Sequence, residues 1–295
     1  MVIKLVMRIL EKMKQIMNSR SCCIYIIRTL MAFCLLFTVS NVVYAFQRKN
    51  IDTMGISFML ENKHKKAVVY KINEKKCEIS VPQYIMDKKN VTYEIFKLAP
   101  NASYDVRDIV KIVRLPISII GVAPAAFQHC EKLECIYLPD SISYIQMVAF
   151  RNCTSLREVN VKSVNYVGEL AFVGCKSLVN LSFLGSVKKI EKGAFLGCKS
   201  IKSFDMPDCL SEVGEYAFRN CSGLESIKFS KSLREILPAT FAGCTSLTEI
   251  YLPDNILKVY IWAFVGCCNL KKVIVSRNTQ IDELAFPEET LIEYY

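Results

Sequence analysis

Ala194-Phe195-Leu196-Gly197-Cys198 is one of a series of similar pentapeptides that recur along the C-terminal two thirds of the 295-residue chain. Each member contains a phenylalanine, and successive phenylalanines lie 22 or 23 residues apart: Phe127, Phe150, Phe172, Phe195, Phe218, Phe241, Phe264 and Phe286. A cysteine follows three residues after each of the first seven: Cys130, Cys153, Cys175, Cys198, Cys221, Cys244 and Cys267. A fixed period of this length is typical of a solenoid, in which each coil buries its apolar side by stacking on its neighbours.

Apolar residues at fixed distances from the phenylalanine predict the path of each coil. Pairs nine and eleven residues later, such as Ile136 with Leu138, alternate with polar residues, which predicts a short strand with one face inward. Apolar residues before the phenylalanine lie three apart, as at Val187 and Ile190, which favours a tight helical or 3₁₀ turn. The alanine next to the phenylalanine is expected to lie where coils approach closely, and Thr240 is its one replacement.

These patterns predict an α/β repeat solenoid with a parallel β-sheet on one face and short helical turns on the return side. Residues 46–108 lack the repeat, and their short alternating stretches predict a small β-rich N-terminal cap that covers the first coil. The solenoid is expected over residues 109–295, with a terminal cap at 287–295, because Glu289 replaces the cysteine of the earlier coils with a charge.

The N-terminus has the features of a secretory signal peptide. A basic region precedes the apolar run from Leu30 to Val43, and Val43-Tyr44-Ala45 has small residues at the positions that signal peptidase requires. We predict a signal peptide over residues 1–45, cleaved after Ala45, and hence a secreted or cell-surface protein. The alternative is an uncleaved anchor, for which the run is short because a spanning helix needs roughly 20 apolar residues.

The pattern Leu-x-x-Ile-x-Leu-Pro-x-Ser-Ile-x-x-Ile-x-x-x-Ala-Phe-x-x-Cys runs from Leu133 to Cys153. It closely resembles the 23-residue leucine-rich repeat of the BspA-like surface antigens, and the resemblance spans residues 112–292. The resemblance implies an extracellular or cell-surface protein that binds matrix or other host proteins as an adhesin or antigen. It says little about the ligand, because the repeat consensus encodes the scaffold.

Composition and motifs argue against several functional classes. The chain is 52% apolar, enough for a substantial core, and its formal net charge is +10. No compact run of basic and aromatic residues is present, so nucleic-acid binding is not expected. Only two histidines occur, and the sequence has no nucleophile elbow, phosphate loop or His-Glu-x-x-His helix. We therefore predict no catalytic residues, no enzyme activity and no cofactor, and interpret His129 as a surface residue of its coil.

The seven repeated cysteines should form a column with one thiol per coil, about 5 Å apart. No tetrahedral zinc site has this spacing, so no metal is expected. The separation falls within the Cα range of a disulfide, which leaves pairing open. We favour buried free thiols, because cysteine packs as a small hydrophobe and the repeat itself explains the spacing.

One outward side chain lies between the two inward residues of each predicted strand, and these side chains form a candidate binding face. They are Tyr137, Asn160, Ser182, Asp205, Lys228, Tyr251 and Ile274. A second column lies two residues earlier: Cys135, Glu158, Asn180, Ser203, Ser226, Glu249 and Lys272. Their chemistry varies while the inward positions stay apolar, as expected for a variable surface on a fixed scaffold. Tyr137 and Tyr251 are the best candidate anchors, although a merely solvated face would show the same pattern.

The sequence therefore favours a recognition protein that binds a protein or other macromolecule, such as a host matrix or surface protein, through this sheet face. No nucleic-acid partner and no membrane span after signal cleavage are expected. The alternative is a structural or assembly component of the cell envelope with no specific ligand on the sheet face.

Overall fold

Residues 50–162 and 164–295 are described by the computed structural model of the chain. The predicted signal peptide and its cleavage site lie outside the described residues. Asn50–Tyr295 form one compact unit, and the buried apolar side chains of the cap and of the coils belong to a single hydrophobic core.

The N-terminal cap consists of strands, as its alternating pattern predicts. These are β1 (Asn50–Thr53), β2 (Ile56–Glu61), β3 (Lys66–Ile72), β4 (Glu78–Ser80), β5 (Tyr84–Met86) and β6 (Thr92–Leu98), with 3₁₀ segments at Asn62–His64 and Tyr104–Val106. Five strands form a mixed sheet in the order β1-β2-β3-β6-β5. β4 does not belong to this sheet. It pairs in parallel with the first strand of the solenoid, so the backbone hydrogen bonds between solenoid strands continue into the cap.

On one side of the solenoid, here called the strand face, a short strand precedes Phe127 and another follows every repeated phenylalanine except Phe172. Its members are β7 (Ile112–Arg114), β9 (Cys135–Tyr137), β11 (Glu158–Asn160), β14 (Ser203–Asp205), β16 (Ser226–Lys228), β18 (Glu249–Leu252), β20 (Lys272–Val275) and β22 (Leu291–Tyr294). Equivalent residues of consecutive coils lie opposite each other, as Ile136 does to Val159, which confirms the predicted parallel stacking. The strand face comprises three sheets, β4-β7-β9-β11, β14-β16 and β18-β20-β22.

The strand face is interrupted where the sequence predicts one more strand. Ser182–Leu184 form a 3₁₀ turn, so the predicted strand through Ser182 is wrong. Phe183 and Leu184 are both buried, and an extended strand cannot direct two consecutive side chains inward. The Asn180 side chain accepts a hydrogen bond from the Ser182 amide at 2.7 Å, which stabilises the turn locally.

The opposite side of the solenoid, here called the return face, consists of two-residue strands followed by tight turns. The strands are β8 (Gly121–Val122), β10 (Tyr144–Ile145), β12 (Tyr166–Val167), β13 (Lys189–Ile190), β15 (Glu212–Val213), β17 (Glu235–Ile236), β19 (Lys258–Val259) and β21 (Gln280–Ile281). They form two parallel sheets, β8-β10-β12-β13-β15 and β17-β19-β21.

The predicted α/β class is therefore only partly right, because the described part of the chain is a β-solenoid without an α-helix. Backbone amides alternate along each return turn: one donates to a carbonyl of its own coil, and the next donates to a carbonyl of the following coil. Leu196 donates to the Gly193 carbonyl at 3.0 Å, whereas Phe195 donates to the Ala217 carbonyl at 2.8 Å. A helix would direct all of these amides into its own chain, so bonding between coils displaces the helical turn.

The phenylalanine rings stack along the axis of the solenoid and form the centre of its core. Ring centroids of consecutive coils lie 5.1 to 5.6 Å apart and the planes are nearly parallel. The neighbouring alanines are buried as predicted, and so is Thr240. This core fixes the spacing of the coils and hence the positions of the outward side chains.

Candidate binding face

The N-terminal part of the strand face presents Tyr137 in the middle of a parallel sheet. Tyr137 lies opposite Arg114 on one side and Asn160 on the other, and Glu158 lies opposite Cys135. The Arg114 guanidinium lies 3.8 Å from the centroid of the Tyr137 ring, a distance at which cation–π attraction is effective. Tyr137 is half-buried, whereas Glu158 and Asn160 are exposed. This part of the face therefore combines an aromatic ring, a held cation and a carboxylate.

The C-terminal part of the strand face carries the most exposed of the candidate aromatic residues. Tyr251 is 54% exposed and lies opposite Ile274, while Glu249 lies opposite Lys272. The Lys272 ammonium lies 2.5 Å from the Glu293 carboxylate of the next coil, and this hydrogen bond raises the pKa of Lys272. Charged and aromatic side chains are thus adjacent on this part of the strand face.

Tyr295 reaches back across two coils to hold the Tyr251 ring. The two rings stack with centroids 5.5 Å apart, and the Tyr295 hydroxyl donates to the Leu252 carbonyl at 3.2 Å. The pKa of Tyr295 is raised to about 12, chiefly by loss of hydration and to a lesser extent by a hydrogen bond with Tyr251. The stacked neighbour orders the Tyr251 ring, which remains 54% exposed.

The remaining predicted residues do not join these two parts into one column. Asp205 lies opposite Lys228, and both side chains are exposed. Ser182 begins the 3₁₀ turn and Asn180 lies just before it. Both line a small polar cavity of about 80 Å³ with Glu158 and Asn160. The face is therefore divided among three sheets, each with its own patch of outward side chains, rather than forming the single continuous sheet that the sequence predicts.

Two residues of the face were missed by sequence reasoning. Arg114 lies 23 residues before Tyr137, in the partial repeat at the start of the solenoid, so the repeat spacing itself places it on the column. Tyr295 lies two coils beyond Tyr251, and its backward reach follows from side-chain conformation rather than from spacing. The repeat spacing could therefore have identified Arg114, whereas nothing in the sequence pattern indicated Tyr295.

The repeated cysteines lie in the core. All seven are buried, and six donate their S–H to the phenylalanine carbonyl of the preceding coil at 3.0 to 3.3 Å. The first thiol, Cys130, lies 3.2 Å from the hydroxyl of Ser103 in the cap. Burial raises the pKa of Cys130, Cys221 and Cys267 to about 12. Thiols with such a pKa are poor nucleophiles and poor metal ligands at neutral pH.

Neither histidine geometry nor metal-ligand clustering identifies another site. His129 has a φ of 60°, the left-handed value also found at the equivalent Asn152 and Gly197, and its Nδ1 lies 3.5 Å from the Asn152 amide nitrogen. Within residues 50–162 and 164–295, no three His, Cys, Asp or Glu side chains are grouped to hold a metal ion. The same residues include no helix with the length and hydropathy needed to cross a membrane.

Comparison with known proteins identifies the repeat and the fold. The model of the BspA type leucine rich repeat region matches in six copies over residues 91–198 and 165–293. A leucine-rich repeat protein from Bacteroides ovatus ATCC 8483 is 23% identical with a TM-score of 0.60, over 78% of this chain and 66% of that one. A leucine-rich repeat protein from T. pallidum is 23% identical with a TM-score of 0.50, over 75% and 91%. The chain thus spans about two thirds of the Bacteroides protein, and no curated protein matches it significantly.

Proposed function

Because the chain belongs to the BspA-type leucine-rich repeat family, we propose that it is a secreted or cell-surface recognition protein that binds another protein through its strand face. The observation that carries this proposal is the pair of held aromatic rings, Tyr137 beside Arg114 and Tyr251 beside Tyr295. Ordered tyrosine side chains lose little conformational entropy on binding and are enriched among residues that dominate interface energies.

The charges around the two rings support recognition of a protein rather than of an apolar ligand. Glu158, Glu249 and Asp205 lie on the same face as Arg114 and Lys228, so both signs are displayed within each patch. Mixed charges around aromatic anchors are typical of polar protein interfaces. The proposed function requires no cofactor and no catalytic residue, and export by the predicted signal peptide would bring the strand face to extracellular partners.

Surface plasmon resonance with immobilised fibronectin, laminin and type I collagen tests this proposal. We expect the purified protein to bind at least one of them, and the double variant Tyr137→Ala/Tyr251→Ala to bind it at least tenfold more weakly. Circular dichroism should stay unchanged, because both side chains lie on the surface side of their strands.

Tyr166→Ala is the matched control, because Tyr166 is a half-buried tyrosine of the return face whose hydroxyl contacts Glu191 at 3.3 Å. It should bind like the unmodified protein. Equal loss in the control and the double variant would contradict a role of the strand face. Failure to bind any of the three matrix proteins would contradict the host-matrix ligand that the family resemblance implies and favour a structural role in the cell envelope.

A further inference from the structure

Two turns of the N-terminal cap lie side by side at one end of its five-stranded sheet, here called the turn end. The first turn, residues 62–65, connects β2 to β3, and the second, residues 87–91, connects β5 to β6. Because β3 and β6 are parallel neighbours, both turns lie at the end where these two strands begin. The Tyr93 hydroxyl donates to the Asn62 side chain at 2.8 Å, which joins the two hairpins directly.

Each of these turns carries two exposed lysines. They are Lys63, Lys65, Lys88 and Lys89. None of the four forms an ion pair with a described residue. At the opposite end of the same sheet, by contrast, Lys71 is paired with Asp105 and Lys76 with Glu74. The turn end therefore carries uncompensated positive charge, which raises the local concentration of anions around it.

The acidic side chains at the turn end are recessed behind these lysines. Residues 61–66 and 87–94 together hold five lysines and three acids. Asp87 is buried, and its carboxylate accepts hydrogen bonds from two backbone amides of its own turn at 2.8 and 3.0 Å. Glu61 and Glu94 are half-buried and lie opposite Lys66 on the two strands beside it. The exposed charge of this end is therefore positive.

The chain enters the cap at the same end of the sheet. The first residue of β1, Asn50, lies opposite Met59, two residues before β2 ends at the first turn. Arg48 and Lys49 directly precede it, and six residues separate it from the apolar run that ends at Val43. A segment of that length spans at most roughly 25 Å when fully extended. A bilayer that holds the apolar run during export therefore has its surface within reach of the turn end.

An exposed apolar side chain lies beside the cations. Met86 directly precedes the second turn and is 58% exposed, and Tyr84, on the same face of β5, is 54% exposed. Apolar side chains next to lysines suit a lipid surface, because they enter the layer between headgroups and acyl chains while the lysines contact phosphates. A soluble polyanion has no apolar layer to receive them.

We propose that the turn end of the cap docks on the surface of a bilayer that contains anionic phospholipids. The ammonium groups of the four turn lysines pair with lipid phosphates, and Met86 enters the headgroup layer. The contact requires no spanning helix and uses no residue of the strand face. It holds the protein at the membrane across which it is exported, whether or not the strand face has a ligand.

Lysine footprinting of the full chain tests this docking surface. The protein is treated with an acetylating reagent in the presence of vesicles, and acetylation at each lysine is measured by peptide mass spectrometry. Vesicles of 70% phosphatidylcholine and 30% phosphatidylglycerol are the probe, and pure phosphatidylcholine vesicles are the reference, so that insertion of the apolar run is common to both.

We expect the four turn lysines to react at least threefold more slowly with the anionic vesicles in 50 mM NaCl. The protection should disappear in 500 mM NaCl, because salt screens the charges. Four exposed lysines of the solenoid should react equally with both vesicle types: Lys132, Lys176, Lys199 and Lys271. Equal reaction of the turn lysines with both vesicle types, or equal protection of the two sets, would overturn the proposal.

Charge-matched variants separate the turn end from net charge. The variant Lys63→Gln/Lys65→Gln/Lys88→Gln/Lys89→Gln should lose at least tenfold of the preference for anionic over neutral vesicles in flotation. Glutamine at the four solenoid lysines removes the same charge and should leave this preference unchanged. Equal losses in both variants would overturn the proposal. The Tyr137→Ala/Tyr251→Ala variant should keep the full preference, so this test is separate from that of the strand face.

Two other anions identify the partner. Inorganic phosphate at 10 mM should protect none of the turn lysines, and protection equal to that by vesicles would indicate a site for a single anion instead. Heparin should protect them less than anionic vesicles of equal charge do, and Met86→Ser should weaken vesicle binding at least twofold without affecting heparin. Stronger protection by heparin would overturn the proposal in favour of a sulfated polysaccharide.

Discussion

At the scale of single residues, the repeated cysteine is explained by the hydrogen-bonding capacity of one carbonyl. The Phe127 carbonyl accepts the amide of Cys130 at 3.2 Å within its own coil and the S–H of Cys153 from the next coil at 3.0 Å. Alanine would leave the second lone pair unused and a small void. Serine would bury a more strongly hydrated hydroxyl. Cysteine is small, weakly polar and able to donate, so it fits a position that is buried on every side.

Thiol reactivity should separate the cysteines into two classes in the native protein. Cys77, Cys209 and Cys268 are exposed and should react with iodoacetamide within minutes at pH 8. The seven buried cysteines should stay unmodified, because burial blocks access and favours the neutral thiol. Peptide mass spectrometry without prior reduction measures both classes, and all eleven cysteines of the described residues, including the half-buried Cys135, should react in 8 M urea. Bridged cysteine pairs in the urea sample would contradict the interpretation of the column as free thiols.

Stability should fall steeply in alkali. The pKa of Cys221 rises from its ordinary value of 9.0 to about 12 in the folded chain, so the folded state binds the proton more tightly than the unfolded state. This contribution is fully present below pH 9 and is lost as the pH rises towards 12, by about 1.4 kcal/mol per pH unit for each such thiol. Urea unfolding at pH 8, 9 and 10 measures the slope. Cys221→Ala should reduce the slope, whereas Cys209→Ala, at an exposed site, should leave it unchanged.

At the scale of elements, the sequence predicts the strands well where one residue in two faces inward. The pairs at Ile136 and Val159 give the observed parallel register. The prediction fails at Leu184, an apolar residue at a position where other coils have proline, serine or lysine. That residue was a usable signal, because two adjacent apolar side chains cannot both face inward from a strand. The two-residue return strands had no comparable signal, since three-residue apolar spacing is also typical of a helical turn.

Leu184→Ser should test this account of the interruption. Leu184 is 1% exposed, so truncation to a polar side chain should lower the free energy of unfolding by about 2 to 5 kcal/mol. Lys162→Ser changes the equivalent, exposed position of the preceding coil, whose ion pair with Asp140 lies on the surface, and should lower the free energy of unfolding far less, because solvent screens an exposed pair. Urea denaturation measures both variants. Similar losses would mean that Leu184 does not hold the turn in place.

At the scale of the whole molecule, the predicted cap joins the solenoid through hydrogen bonds as well as apolar contacts. β4 extends the strand face, and the Ser103 hydroxyl donates to the Ala126 carbonyl at 2.6 Å. The sequence indicates that residues before the repeat are strands, but these pairings connect residues over 20 positions apart with no repeat to relate them. The strand face was likewise predicted only in part. The repeat spacing identifies its outward residues, but their division among three sheets is evident only from the fold.

Unfolding of the described unit should start at whichever end is weakened, because each coil contacts chiefly its neighbours. Val106, in the cap, and Val275, in β20, are both fully buried. Replacement of either by alanine should cost about 1 to 3 kcal/mol. Val106→Ala should lower the urea midpoint for alkylation of Cys130, in the first coil, more than that for Cys267.

Val275→Ala is the mirror-image control and should lower the midpoint of Cys267 more. Fluorescence of Trp262, the single tryptophan of the chain, should follow Cys267 in both variants, because both residues lie in the same late coil. Equal shifts of both thiols in both variants would show that coupling between coils exceeds the cost of one valine. The cap and the coils would then unfold as one cooperative unit.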